Sequence, residues 1–260
     1  MTVTAWIGQY CLNVADLERS VAWWTALGLR NTSQTEIPDA HEAIVENPSA
    51  GGKFQIAQQK NQQGPVDLGD ALWKLYVNTP DIAATFKNAV TAGAEVVAEP
   101  ARYDRWPVSV AFVRDPDGRL VEFVERHPWP ADAPADAPWL GQYCVNVADL
   151  DASVAFYEKL GLTCTSRTDV SEALEAIVET PGRGGSVQLA QQKNGGPIAH
   201  GAGVWKLYVH TDDCAGLYEA ALAAGGKPVT EPTRLERWPV VVAFFTDRDG
   251  YLIEIVQRLG

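Results

Sequence analysis

The sequence predicts an α+β fold made of four modules, each a strand followed by a helix and further strands. Three observations carry that prediction: the chain repeats itself once, short alternating segments recur within each repeat, and each helical segment has its own start and stop residues. The repeat is plainest in WIGQYCLNVADLERSVAWWTALGL, residues 6–29, over WLGQYCVNVADLDASVAFYEKLGL, residues 139–162. It continues as EAIVENPSAGGKFQIAQQKN over EAIVETPGRGGSVQLAQQKN, LWKLYVNT over VWKLYVHT, and DRWPVSVAFVRDPDGRLVEFVER over ERWPVVVAFFTDRDGYLIEIVQR. The second copy loses one residue where NQQGP becomes NGGP. Two domains are therefore expected, at 1–126 and 139–260. Between them lies HPWPADAPADAP, residues 127–138, whose prolines exclude a regular helix or inner strand and fit a surface linker.

Each copy reads element by element. QYCLNV alternates over a strand's length. In DLERSVAWWTALG, Asp16 is placed as an N-cap, Leu17, Val21, Trp24 and Leu27 share one helical face, and Gly28 suits the position just past the helix end. AIVEN and KFQIAQQ read as strands. The pattern restarts with WKLYVNT, then a helix from about Pro80 to Ala92 stopped by Gly93, then EVVAEP, PVSVAFV and RLVEFVE. DPDG between the last two is a hairpin turn.

Composition narrows the partners. With 46% hydrophobic and 21% charged residues over 260 positions, the chain has material for one large core or two smaller ones. A net charge of −12 disfavours nucleic acid and anionic membrane and favours a neutral or cationic small molecule. No stretch approaches the ~20 apolar residues of a membrane span, and no secretory leader is apparent, so a cytoplasmic location is expected. Cys11, Cys144, Cys164 and Cys214 are too few and scattered for a disulfide framework, and reduced thiols are expected.

A repeated module that opens with an alternating strand and V-x-D-L-x-x-S (14–20), and closes with D-P-D-G-x-x-x-E (115–122), resembles the vicinal oxygen chelate superfamily. That group includes glyoxalase I, bleomycin-resistance proteins, fosfomycin-modifying enzymes and ring-cleaving dioxygenases. The resemblance implies four βαβββ modules pairing into two half-open eight-stranded barrels, each holding a ligand on its concave face. The chain then looks like a glyoxalase I dimer fused into one polypeptide, present as a monomeric pseudo-dimer or as a homodimer. Metal-dependent members carry ligands at positions matched here by Gln9, Gln55, Lys74 and Glu122, and in the second copy by Gln142, Gln188, Lys206 and Glu254. Gln55 stands in place of a carboxylate and Lys74 in place of a histidine, and an ammonium has no lone pair for a metal. No tightly bound metal and no other cofactor is expected. None of His41, His127, His200 and His210 falls at a ligand position, which counts against dioxygenase chemistry.

Strand alternation then fixes the face. With Gln9 inward, Cys11 and Asn13 follow; Gln55 brings Ala57 and Gln59, Lys74 brings Tyr76 and Asn78, and Glu122 brings Leu120 and Val124. The second copy supplies Cys144, Asn146, Gln192, Tyr208 and His210, the last in place of Asn78. Trp73 and Trp205 precede the lysines, and Trp106 and Trp238 lie in the R-W-P-V segments, placed either to stack on a ligand or to fill the core. Lys74 with Glu122, and Lys206 with Glu254, are expected to pair. Their bland role is a salt bridge replacing a metal. Their catalytic role is acid–base chemistry by a lysine whose pKa is lowered from about 10.4. Metal loss makes a metal-independent binding protein, sequestering an antibiotic or metabolite without turnover, the first expectation. The alternative is a glyoxalase-like lyase or isomerase using the Lys/Glu pair or a weakly held divalent metal. Alternation leaves open whether Gln9 shares a site with Glu122 or with Glu254.

Overall fold

The computed structural model describes residues 4–135 and 137–260; residues 1–3 of the first expected domain and Asp136 of the expected linker lie outside the described residues. The first copy runs β1 (Ala5–Asn13), α1 (Leu17–Ala26), β2 (Arg30–Glu36), β3 (Ala40–Asn47), β4 (Ala50–Gln59), β5 (Leu72–Asn78), α2 (Ile82–Thr91), β6 (Glu95–Tyr103), β7 (Val108–Arg114) and β8 (Leu120–Arg126). The second runs β9 (Trp139–Asn146), α3 (Leu150–Lys159), β10 (Thr163–Asp169), β11 (Ala173–Thr180), β12 (Arg183–Gln192), β13 (Val204–Thr211), α4 (Cys214–Ala223), β14 (Lys227–Arg234), β15 (Val240–Thr246) and β16 (Leu252–Arg258).

β2 and its repeat β10 were missed by the reading of alternation. RNTSQTE and TCTSRTD have no apolar period because each is an outer strand, pairing on one side only, with mostly exposed side chains.

The strands assemble by crossing the two copies. β1 pairs antiparallel with β13, in a register that sets Gln9 beside Tyr208 and Cys11 beside Lys206. β5 pairs in the same way with β9, setting Lys74 beside Cys144. The first barrel therefore runs β2-β3-β4-β1-β13-β16-β15-β14, and the second β10-β11-β12-β9-β5-β8-β7-β6. Short contacts of β1 with β12 and of β4 with β9 join them into one 16-stranded sheet. Gln9 shares a barrel with Glu254, not with Glu122.

One continuous core lies between the sheet and the helices. It takes Tyr10, Leu12, Val14, Phe54, Ile56, Leu75, Val77, Val121 and Phe123, the outward parity of the strands. At its centre Tyr10 and Tyr143 stack with ring centroids 4.8 Å apart and planes 5° from parallel, one ring from each copy. A Cβ at Gly185 would come within 2.5 Å of the Tyr10 hydroxyl oxygen, so the backbone there must be bare for the two copies to meet.

Each helix starts at an aspartate: Asp16, Asp81, Asp149 and Asp213 accept from a backbone N–H three residues on. A second side chain completes each cap from a neighbouring strand, as Gln58 accepts from Leu17 N at 3.0 Å and Gln191 from Leu150 N at 2.9 Å. The buried face of α1 is turned from the predicted one. Trp23, Trp24 and Leu27 are fully enclosed while Leu17 and Val21 are partly covered, because the Trp23 indole reaches α2 and donates to Ala89 O at 3.3 Å.

The DPDG turn is also a tie between sheet and helix. Arg119 is buried against Asp115 at 3.2 Å and Asp117 at 3.0 Å, and its guanidinium donates to the carbonyl of Asn13 at the end of β1. Tyr251 holds the matching place in the second copy, its hydroxyl 2.6 Å from Asn146 O. Removing Arg119 leaves the enclosed Asp115 without a cation and Asp117 with only the half-exposed Arg19, 2.9 Å away. Arg119→Ala is expected to destabilise the chain by about 3 to 5 kcal/mol, read as a lowered urea midpoint, whereas Tyr251→Phe, which strands no charge, is expected to cost about 1 to 3 kcal/mol.

Candidate functional site

The second barrel encloses a cavity of about 780 Å³. β5 delivers Lys74 and Tyr76 to it, β8 Glu122, β9 Gln142 and β12 Gln188. Lys74 Nζ lies 2.9 Å from Glu122 Oε2, with both side chains largely buried. Gln142 Nε2 donates to Gln188 Oε1 at 2.9 Å. The first barrel repeats the set from the opposite copies: Lys206 Nζ lies 2.7 Å from Glu254 Oε2, and Gln9 donates to Gln55.

A carboxylate that the sequence reading passed over joins each set. Glu175 on β11 lines the cavity, is buried, and shares a hydrogen bond with Gln188; Glu42 on β3 shares one with Gln55. Burial pushes both carboxyls above the usual carboxylate range, against the pull of Lys74 on one and Lys206 on the other. The signal was present: EAIVE recurs in both copies, and Glu42 has the parity of Ile44, which pairs with Gln55 across β3 and β4.

Lys74 departs from the expectation of a lowered pKa. Burial does oppose its ammonium, but Glu122 beside it and other anions nearby prevail, and the group is held above the ordinary lysine value. Lys74 is thus a fixed cation rather than a base. Trp73 and Tyr76 reinforce it, their ring centroids 4.4 and 4.9 Å from Nζ, and Trp205 and Tyr208 flank Lys206 at the same distances. Trp73 therefore both lines the cavity and holds the lysine.

The other residues read as inward-facing divide into two groups. Cys11 and Cys144 are fully buried beneath the pairs, and burial drives their thiols well up, away from reactivity. Asn13 and Gln59 bond to each other at 2.8 Å, as do Asn146 and Gln192, and both asparagines donate to loop carbonyls, at Ala202 and Asp70. These four close the barrel ends. His210 stacks on Trp6 with centroids 5.6 Å apart. Trp106 lines the cavity at its rim and stacks on Tyr103 at 5.5 Å, while Trp238 is exposed beside Arg237.

The donor set does not suit a divalent metal. Two amide side chains, two carboxyl groups and an ammonium place a direct repulsion where a cation would sit, and burial disfavours the charge of the second carboxyl. Among the described residues no group of three or more His, Cys, Asp or Glu is placed to hold one.

Fold and site together define a tandem half-open-barrel protein with a buried lysine–glutamate pair in each crevice. The chain belongs to the Glyoxalase/Bleomycin resistance protein/Dioxygenase superfamily, whose sequence profile matches residues 6–123 and 139–255. Its fold is that of maize glyoxalase I, with a TM-score of 0.87 at 22% identity over 98% of this chain and 93% of that one. A putative dioxygenase of Bacillus subtilis superposes with a TM-score of 0.70 at 17% identity, over 96% and 84% of the chains. Among curated relatives, a probable chloroplastic lactoylglutathione lyase of Arabidopsis thaliana is 25% identical over 95% of this chain and 71% of its own length. A second lactoylglutathione lyase of that plant is 27% identical over 94% and 89%. These relatives bear the name of an enzyme, and that overturns the first expectation of a sequestering protein without turnover.

His210 gives the site a pH signature. Burial, with Arg258, Lys53 and Arg183 nearby, pulls its pKa from 6.5 to about 4. A base depressed on folding stabilises the native state fully above its unfolded value and loses that contribution as pH falls from about 6.5 towards 4. Buried Asp247, its pKa raised to about 6, acts with the opposite sign over the same window, so the readout is a difference: relative to the wild-type chain, His210→Asn, the residue the first copy has at Asn78, is expected to gain in urea midpoint as pH falls from about 6.5 towards 4.

Proposed function

We propose that this chain is a metal-independent enzyme of the glyoxalase type, a lyase or isomerase acting on a small carbonyl compound in two sites shared between its copies. The observation that carries the reading is the buried pair of Lys74 and Glu122, 2.9 Å apart against a cavity of about 780 Å³, repeated by Lys206 and Glu254 at 2.7 Å. The names of the curated relatives support enzymatic turnover.

In this reading the ammonium faces the carbonyl oxygen of the bound compound. Glu122 takes a proton from the neighbouring carbon, the electron pair moves onto the oxygen, and the positive charge of Lys74 stabilises the enolate that results. Where that neighbouring carbon bears a hydroxyl, the hydroxyl proton passes to the first oxygen and the carbon-derived proton returns to the former carbonyl carbon, so the carbonyl moves to the neighbouring carbon and the isomerisation needs no oxidant or reductant. Glu175, whose carboxyl is held above its usual range, is the second group able to carry that proton. The net charge of −12 favours neutral or cationic substrates. The four free cysteines are in keeping with a cytoplasmic location, and the fused copies with a monomeric pseudo-dimer or a homodimer.

Because the lysine replaces a Lewis acid, its charge matters more than its shape. Lys74→Met combined with Lys206→Met is expected to lower turnover of a 2-oxoaldehyde, given alone or with glutathione, by about 10²- to 10³-fold per folded molecule, the stranded glutamates costing stability that a lowered urea midpoint reads separately. Unchanged turnover in the double variant would rule out the charge-stabilising role.

A further inference from the structure

The cavity wall is unlike its floor. From Trp106 at the rim, 37% exposed, the inward side chains of β7 are Val108, Val110 and Phe112, paired in register with Arg126, Val124 and Glu122. At about 3.4 Å per residue, the ladder from Val108 to Phe112 is ~14 Å long, and it ends beside the carboxylate that holds Lys74. Val170 and Ile177 line the cavity as well. The first barrel repeats the ladder with Val240, Val242 and Phe244, the last paired with Glu254.

Charge on the wall is scarce and of one balance. Two cations, Lys74 and Arg126, and the imidazole of His127 stand against three carboxyl groups, Glu122, Glu172 and Glu175. Lys74 is already committed to Glu122. A conjugate of glutathione carries two carboxylates; among the described lining residues only Arg126 is free to meet one of them, and the next cation, Arg105, is not in the lining but lies over the Trp106 ring at 4.6 Å. An apolar ring meets Val108, Val110 and Trp106 with nothing to desolvate but water.

We propose that the substrate of this site is an aromatic carbonyl compound without a peptide carboxylate, its ring along the Trp106–Val108–Val110 ladder and its carbonyl oxygen at Lys74 Nζ. The assignment rests on the enzymatic reading above and narrows it to a substrate class different from the one in the relatives' names.

The test uses the full chain and two binding probes, 2-acetylnaphthalene and S-lactoylglutathione, each followed by calorimetry and by tryptophan emission. The ketone is expected to bind at least tenfold more tightly than the thioester, and Trp106→Ala to weaken it about three- to tenfold. Because Trp106 is at the rim, that variant keeps the core intact; Val110→Asn, placed midway along the ladder, is expected to weaken the ketone further without helping the thioester. Tighter binding of S-lactoylglutathione, or a ketone affinity indifferent to both variants, overturns the substrate class. Consumption of phenylglyoxal is measured alongside. If glutathione conjugates bind and turn over with dependence on Lys74, the class falls while the enzymatic reading stands. If the ketone binds as expected but wild-type protein consumes no 2-oxoaldehyde, the enzymatic reading falls while the aromatic ligand stands.

Discussion

The antiparallel pairing of β1 with β13, and of β5 with β9, is the constraint on which everything else depends. Neither copy holds a complete barrel: each barrel joins the first module of one copy to the second module of the other. Side chains on a strand alternate, so a slip of one residue in either pairing would turn Lys206 or Lys74 to the helix side and bring an apolar neighbour into the crevice. The registers that set Cys11 beside Lys206 and Lys74 beside Cys144 are therefore also what bring each lysine to its glutamines. The stacked tyrosines Tyr10 and Tyr143, with the bare backbone of Gly185 against them, hold the two copies at the required spacing.

Within that frame the lysine–glutamate pair is a poor device for stability. Two charges taken out of water lose in solvation about what they regain from each other, and well-packed apolar residues would serve the barrel better. The chain nevertheless keeps the pair in both crevices, gives each lysine two aromatic faces, and leaves a buried carboxyl at Glu175 and a partly buried one at Glu42 within reach of its field. The pattern is one of charge held in place at some expense. Its consequence is that the cation stays charged, because Glu122 outweighs the burial of Lys74; in the proposed reaction, proton movement then falls to the carboxylates.

Much of this was legible in the sequence because strands have a period of two. Once Gln9 was set inward, the parity separated Tyr10, Leu12, Phe54, Ile56, Leu75 and Phe123 for the core from the polar set, and the D-P-D-G turn fixed which strands were neighbours. The illegible parts have physical causes. β2 and β10 lack a period because an outer strand has little to bury. Glu42 and Glu175 look like solvated strand residues until the barrel curls around them. The lysine's titration was misjudged because burial was given more weight than the paired carboxylate, which lies at 2.9 Å and prevails. The crossing of the copies left no trace, since both pairings satisfy the same alternation.

The two copies also differ where they meet one constraint by different chemistry. The end of each first strand must be tied to the turn before the last strand: Arg119 does so through a guanidinium balanced by Asp115 and Asp117, Tyr251 through a neutral hydroxyl. With no cation beside it, the matching Asp247 relies on the Tyr157 hydroxyl and backbone N–H groups, and burial raises its pKa to about 6. At the rims, Tyr103 stacks on Trp106 in one barrel, while in the other Leu235 packs into the apolar cluster and Arg237 donates to the carbonyl of Glu36 across the opening. That bridge joins the end of β2 to the loop before β15, so the two rims are held by different contacts. The floors were kept alike while ties and rims diverged. That is the outcome expected if the reacting groups constrain the sequence more tightly than the scaffold that positions them, because a tie needs only a donor near a carbonyl, whereas a lysine, a glutamate and a glutamine pair must share one geometry.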